Sequence, residues 1–222
     1  MGAAWLFRRK GKPSGAYTKS FPVVEAFYTR LQDSLGLQPD CWPNIRRAYA
    51  GRAYHNLDHL EEMIRHLADH PAPHAPDIFG FALLYHDIVY KPTRKDNEER
   101  SAASAVRQLE LGGQADHQAV RRCRELIEAT RYHRPSKEDD GDEALLIDLD
   151  LAVLARDPAG YDRYLAGVRR EFWMIPGFVF RKARRQVLTD FLDRPHVYHT
   201  PYGRTRYEPA ARENLWRELR EL

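Results

Sequence analysis

Two short strings carry the residues able to do chemistry: Tyr54-His55-Asn56-Leu57-Asp58-His59 and Tyr85-His86-Asp87. They set His55, His59 and His86 and the Asp87 carboxylate in largely apolar, helix-patterned sequence. Nitrogen and oxygen donors directed into a core are costly unless something binds them, and a divalent metal is the simplest occupant. His55 and His59 are four apart, so both rings share one face if the helix has begun by His55. His86 and Asp87 are adjacent. Their side chains diverge by about 100° on a helix and can straddle one ion.

A third string, ALLIDLDLAVLA, places Asp148 and Asp150 in a buried pattern. Two residues apart on a helix, they point to nearly opposite sides, so one ion can hardly take both. Asp150 shares a face with Leu146, Val153 and Leu154 and is favoured as the inward one; Asp148 also has small and apolar neighbours and stays a candidate. The expected set is His59, His86, Asp87 and Asp150. Two imidazoles and two carboxylates suit Mn²⁺, Fe²⁺, Co²⁺, Zn²⁺ or Mg²⁺.

Helical periodicity positions these groups. Val24, Phe27, Tyr28, Leu31 and Leu35 form one stripe, stopped by Gly36. Leu57, Leu60, Ile64 and Leu67 form a second, ended by the proline-rich PAPHAP at 71–76. Ile78, Phe81, Leu84, Tyr85 and Ile88 mark a third helix, apolar nearly all round and therefore central. Asp96 with Glu99 resembles a helix cap, and Gly112-Gly113 closes the helix it starts. Further helices are expected at about 116–130, through ALLIDLDLAVLA, from Asp157-Pro158 through Phe172, and at about 178–193 and 208–221, the last two separated by a proline-punctuated loop. No alternating strand pattern occurs. The aromatics after residue 160, Trp173 and Phe178 among them, fit core packing.

The bulk numbers bound the class. At 222 residues, 43% hydrophobic and 30% charged, the chain suits one well-filled core. Its 35 basic and 32 acidic residues nearly balance, so no nucleic-acid partner is expected. The run Arg181-Lys182-Ala183-Arg184-Arg185 reads as a solvated helix face. Cys41 and Cys123 lack zinc-finger spacing and read as reduced thiols of a cytoplasmic protein. The first 15 residues have the wrong charge order for a secretory signal. No stretch reaches the ~20 apolar residues that cross a bilayer, and no membrane partner is expected. Residues 1–19 read as a flexible basic extension ahead of one domain over 20–222.

The order His…His-Asp…Asp on an all-α chain resembles the HD-domain metal-dependent phosphohydrolase superfamily. The YHNxxH string is similar to the signature of the cyclic-nucleotide phosphodiesterases. FALLYHDIVYKPTRKDNEERSA, IDLDLAVL and Arg212-Glu213-Asn214-Leu215 look like a bacterial group of predicted HD-superfamily phosphohydrolases, a resemblance running from about residue 20 onward. It implies a single-domain helical bundle of the phosphodiesterase-like type. His59, His86, Asp87 and Asp150 would hold the metal, and His55 would protonate the leaving oxygen. The chain is much shorter than the phosphodiesterases and has no assignable glutamine–phenylalanine purine clamp, so cyclic nucleotides do not follow.

The implied chemistry is hydrolysis of a phosphomonoester or diester, on a nucleotide or related metabolite. Metal-activated hydroxide attacks phosphorus, Asp87 or Asp150 orients it, and His55 is the general acid. Arg52, Lys91 and Arg131 are the nearest cations by sequence to neutralise the phosphate. His133, in ATRYHRP, is a candidate second-metal ligand or phosphate contact, and equally a helix-end histidine facing the dipole; Glu98 is a candidate neighbour of the metal waters. Two alternatives stand beside this: an HD-fold di-iron oxygenase, which needs His55 or His133 as an extra ligand, and a non-catalytic metal-stabilised binding module.

Overall fold

Chain-start chemistry and helix stops set the element boundaries. The computed structural model describes residues 19–38, 40–112, 115–137 and 140–222; the expected extension over 1–19 lies, apart from Lys19, outside them. Helix α1 (Pro22–Leu35) opens on a proline and stops at Gly36, whose φ of 59° is left-handed and whose N–H donates to the Gln32 carbonyl. Helix α2 (Trp42–Tyr49) was not legible as a stripe, because only Ile45 and Tyr49 in it are buried. Tyr49 Oη donates to the Leu84 carbonyl at 2.9 Å and ties α2 to the centre.

Helix α3 (Leu57–Leu67) begins two residues after His55, because Asn56 is its cap. The Asn56 Oδ1 accepts from the Asp58 N–H at 2.8 Å and the His59 N–H at 3.4 Å. His55 therefore sits in the preceding loop and does not share a helix face with His59, contrary to the spacing argument. Helix α4 (Pro76–Tyr85) is buried at every position from Ile78 to Tyr85. It ends at Tyr85, before Ile88, so His86 and Asp87 lie at its C-terminal end and not within it.

Helices α5 (Asn97–Gly112) and α6 (His117–Ala129) follow, α6 capped by the Asp116 carboxylate. Asp96 precedes α5 as expected, with its carboxylate also taken by Arg100 at 2.6 Å. Helix α7 (Gly141–Leu151) runs on into a 3₁₀ turn over 152–155. Helix α9 (Gly177–Asp193) packs on α11 (Glu208–Glu221), and α8 (Pro158–Glu171) reaches α11 through the Tyr161 hydroxyl, which donates to Glu218 at 2.6 Å. The proline-punctuated loop ahead of α11 contains a further short helix, α10 (Pro201–Arg206). Among the described residues there is no strand: the fold is all-α. No described helix is long and apolar enough to cross a membrane. Cys41 and Cys123 are both buried and unbridged.

Two apolar clusters fill the interior, and α7 is the wall between them. Leu145, Leu146 and Leu149 face the cluster built on α1–α6; Ile147 and Leu151 face the one built on α8, α9 and α11. The two aspartates of α7 consequently diverge. Asp148 accepts from the His199 N–H (2.7 Å), the Thr200 N–H (2.8 Å) and Thr200 Oγ1 (2.7 Å), fixing the entry to α10. Thr200 Oγ1 in turn accepts from the Gly203 N–H at 2.9 Å. A Cβ at Gly203 would collide with Asp148 Oδ2 and meet Tyr198 Cβ at 2.9 Å. Gly203→Ala is therefore expected to destabilise the fold by roughly 1–3 kcal/mol, lowering the melting midpoint by roughly 3–10 °C. An unchanged midpoint in calorimetry would show that α10 moves aside freely.

Candidate metal centre

Capping by Asn56 turns the first turn of α3 inward and buries His59, while the end of α4 buries His86 and Asp87. His59, His86 and Asp87 each offer one ligand atom, and these atoms lie within 4.8 Å of one another. His86 Nδ1 is 2.8 Å from the Leu83 carbonyl, which can only accept, so the proton is assigned to Nδ1 and the Nε2 lone pair is left free. That Nε2 is buried without a hydrogen-bond partner. It faces Asp87 Oδ2 at 3.4 Å and Asp150 Oδ1 at 3.7 Å.

Buried carboxylates facing that nitrogen need positive charge between them, which a second ring proton supplies in the metal-free protein and a metal ion would supply in its place. Ligand atoms ~2.1 Å from one ion sit roughly 3–3.5 Å apart; the His86 Nε2–Asp87 Oδ2 pair at 3.4 Å has that spacing, and the His86 Nε2–Asp150 Oδ1 pair at 3.7 Å is somewhat wider. The buried group could hold a metal ion, and the donors are of the type that does.

Asp150 is brought to the same place, with Asp148 turned away. Its Oδ1 is 3.0 Å from His59 Nε2, while Tyr54 Oη lies 3.3 Å from the opposite nitrogen of that ring. Its Oδ2 is 3.4 Å from His133 Nε2. His133 adopts a left-handed φ of 48° beyond the 3₁₀ turn that continues α6, and its carbonyl accepts from Arg194 Nη1 (2.9 Å) and His199 Nε2 (3.1 Å). It is thus both a helix-end histidine and a neighbour of the cluster.

Charge coupling within the group is strong. Burial opposes the His86 imidazolium, but the Asp87 and Asp150 carboxylates hold its pKa well above the ordinary 6.5. Burial also opposes the Asp87 carboxylate, yet the His86 and His55 imidazoles hold it at about 2. Asp150, against the same burial, is held well below its usual range by His133, His59 and His86.

The raised His86 pKa favours a second ring proton in the metal-free protein, and an ion entering the group competes with that proton. Calorimetric titration of Mn²⁺ in buffers of different ionisation enthalpy is expected to report release of about one proton at pH 7. The raised His86 pKa gives the metal-free protein stability that is complete below 6.5 and lost as pH rises through the folded value. The depressed Asp87 pKa acts oppositely: its contribution is present above 3.8 and lost as pH falls toward about 2. The metal-free melting midpoint is expected to fall on the alkaline side, and the metal-loaded one to stay level. Parallel curves would mean that no proton is exchanged.

His55 approaches from its loop. Its Nδ1 is 2.6 Å from Glu171 Oε2 and its Nε2 is 4.0 Å from Asp87 Oδ2. The ring stacks on Tyr90 with centroids 4.0 Å apart. Glu171 Oε1 also accepts from the Tyr54 and His55 N–H groups, at 2.8 and 3.0 Å. Burial raises the Glu171 pKa, and the hydrogen bond from His55 outweighs that, leaving it below the usual range. Sequence reasoning missed Glu171. A single acid ending an amphipathic helix has no spacing that marks it.

The expected cations are placed otherwise. Arg52 donates through Nη1 to the Asp87 carbonyl (2.6 Å) and the His55 carbonyl (3.2 Å), and through Nη2 to the Ile88 carbonyl (3.0 Å). Its guanidinium lies over the Tyr49 ring at 4.8 Å. It clamps the His55 loop onto the turn carrying Asp87. Lys91 and Arg131 are exposed and Glu98 is half-buried; no hydrogen bond or ion pair joins their side chains to the cluster. Comparison with protein-family models, with curated proteins and with solved structures finds no match to this chain.

Proposed function

We propose that the chain is a metal-dependent phosphohydrolase acting on a small phosphorylated metabolite, with His59, His86, Asp87 and Asp150 holding a divalent ion. The observation that carries this reading is the buried, unpartnered His86 Nε2 aimed at two carboxylates, with an oriented histidine 4.0 Å from one of them. When bound, such an ion acidifies water and polarises phosphoryl oxygens. Asp87 and Asp150 are acceptors able to orient a nucleophilic water. Glu171 and Tyr90 hold the His55 ring so that Nδ1–H points to the carboxylate and Nε2 faces the cluster. Nε2 can then carry a proton to the departing oxygen. Glu171 is a positioning residue, as the buried carboxylate is in a catalytic triad. A purely structural metal site would have no use for that oriented proton donor. The two buried free thiols accord with a reducing, cytoplasmic setting.

One contact favours a second reading, an HD-fold di-iron oxygenase: His133 reaches the outer oxygen of Asp150 at 3.4 Å, which lets Asp150 serve two ions. Elemental analysis of anaerobically purified protein, paired with a screen of phosphorylated metabolites and bis(p-nitrophenyl) phosphate, separates the readings. The hydrolase reading expects chelator-sensitive phosphate release with at least one divalent ion. Two tightly held irons with O₂ consumption and no phosphate release would replace it by the oxygenase.

A further inference from the structure

Tyr161 and Tyr164 fill the core as expected of the late aromatics, but at the corner between α8 and α9 Trp173 and Phe178 do not. Trp173 is 72% exposed, Met174 74% and Phe178 71%. Three large apolar side chains within six residues form a patch of the kind that marks an interaction surface. The corner is also built. Arg169 donates to the Phe172 carbonyl at 2.6 Å and the Ile175 carbonyl at 3.2 Å, and its guanidinium lies over the Phe180 ring at 5.1 Å. The Ile175 N–H donates to the Phe172 carbonyl at 2.9 Å, closing the turn. Phe172, Ile175 and Phe180 therefore fold inward as a base, and the other three project from it. Behind them opens an apolar cavity of ≈ 360 Å³ lined by Ile175, Val179, Phe180 and Val187 among others.

The charges next to this tip in the chain are cationic. From Phe172 to Thr189 the sequence has no acid, and the Glu171 that precedes it is turned in on His55. Arg181, Lys182 and Arg185 are exposed on the first turns of α9, and Arg170 is exposed at the end of α8. Within the run 181–185, Arg184 turns inward, to Glu218 at 2.7 Å.

We propose that this corner docks on an anionic phospholipid surface. Trp173, Met174 and Phe178 would enter the headgroup region while the flanking cations sit on lipid phosphates. A projecting apolar tip flanked along the chain by exposed cations matches that interface, with apolar burial and attraction to negative charge acting together. The expectation of no membrane partner rested on the lack of a spanning segment, and interfacial docking needs none.

The test is co-sedimentation of the full chain with phosphatidylcholine vesicles, with and without phosphatidylglycerol, at low salt and at about 0.5 M NaCl. The protein is expected to pellet with the anionic vesicles and largely to be released by salt. The combined variant Trp173→Ser, Met174→Ser, Phe178→Ser should partition about tenfold less or weaker. The combined variant Arg181→Gln, Lys182→Gln, Arg185→Gln should lose roughly 100-fold. All substituted side chains are exposed, and circular dichroism checks that both variants fold. Absence of pelleting, or pelleting that neither variant weakens, overturns the proposal. So does a wild-type dimer that the serine variant converts to monomer without vesicle binding, which assigns the patch to a second copy of the chain.

Discussion

Asp87→Asn is expected to strip the centre of its metal and reduce hydrolysis of bis(p-nitrophenyl) phosphate to background. Asparagine has the same shape and can donate its amide to the free His86 Nε2, so the fold survives. It cannot supply the anionic oxygen now 3.4 Å from that nitrogen. Partners that merely orient ligands cost 10–100-fold in metal affinity when removed, and a direct ligand should cost at least roughly 100-fold. Metal content after dialysis, read beside the melting midpoint of the metal-free protein, checks this. An Asp87→Asn protein that keeps its metal and its activity would remove Asp87 from the ligand set.

His55→Ala should do the opposite: retain the metal and slow turnover by ~10²–10⁴ on substrates with poor leaving groups. Esters with a p-nitrophenolate leaving group need little protonation and should be spared. The reason is geometric, since Nδ1 is taken by Glu171 at 2.6 Å and Nε2 alone remains to give a proton. Glu171→Gln should show the same dependence on leaving group, at roughly 10–100-fold. A substitution that only loosened the structure would slow every substrate alike. Loss of metal in His55→Ala would make His55 a ligand instead of the acid.

Much of the site was visible in the residues because its parts are periodic or adjacent. The all-round apolar pattern over 78–88 marked the central helix, although the helix itself stops at Tyr85, and facing residues on ALLIDLDLAVLA favoured Asp150 while leaving Asp148 a candidate. What escaped depends on tertiary contact. Asn56 is a cap only because the helix starts after it, which took His55 off the helix that spacing alone assigns it. Arg52 carries a charge, but its hydrogen bonds to three carbonyls come from loops brought together by folding. Glu171 is 116 residues from His55 in sequence and shares no motif with it. Helix α10 is a short element held by the Asp148 carboxylate, so it has no stripe of its own. Trp173 and Phe178 have core-type side chains, and nothing in their spacing says that no neighbour covers them.

The most direct measurement is anomalous diffraction from crystals soaked in Mn²⁺. A single dominant peak bounded by the His59 and His86 Nε2 atoms and the Asp87 and Asp150 carboxylates is the expected result. Manganese bound elsewhere, with His86 Nε2 instead satisfied by a side chain or solvent, would contradict the account.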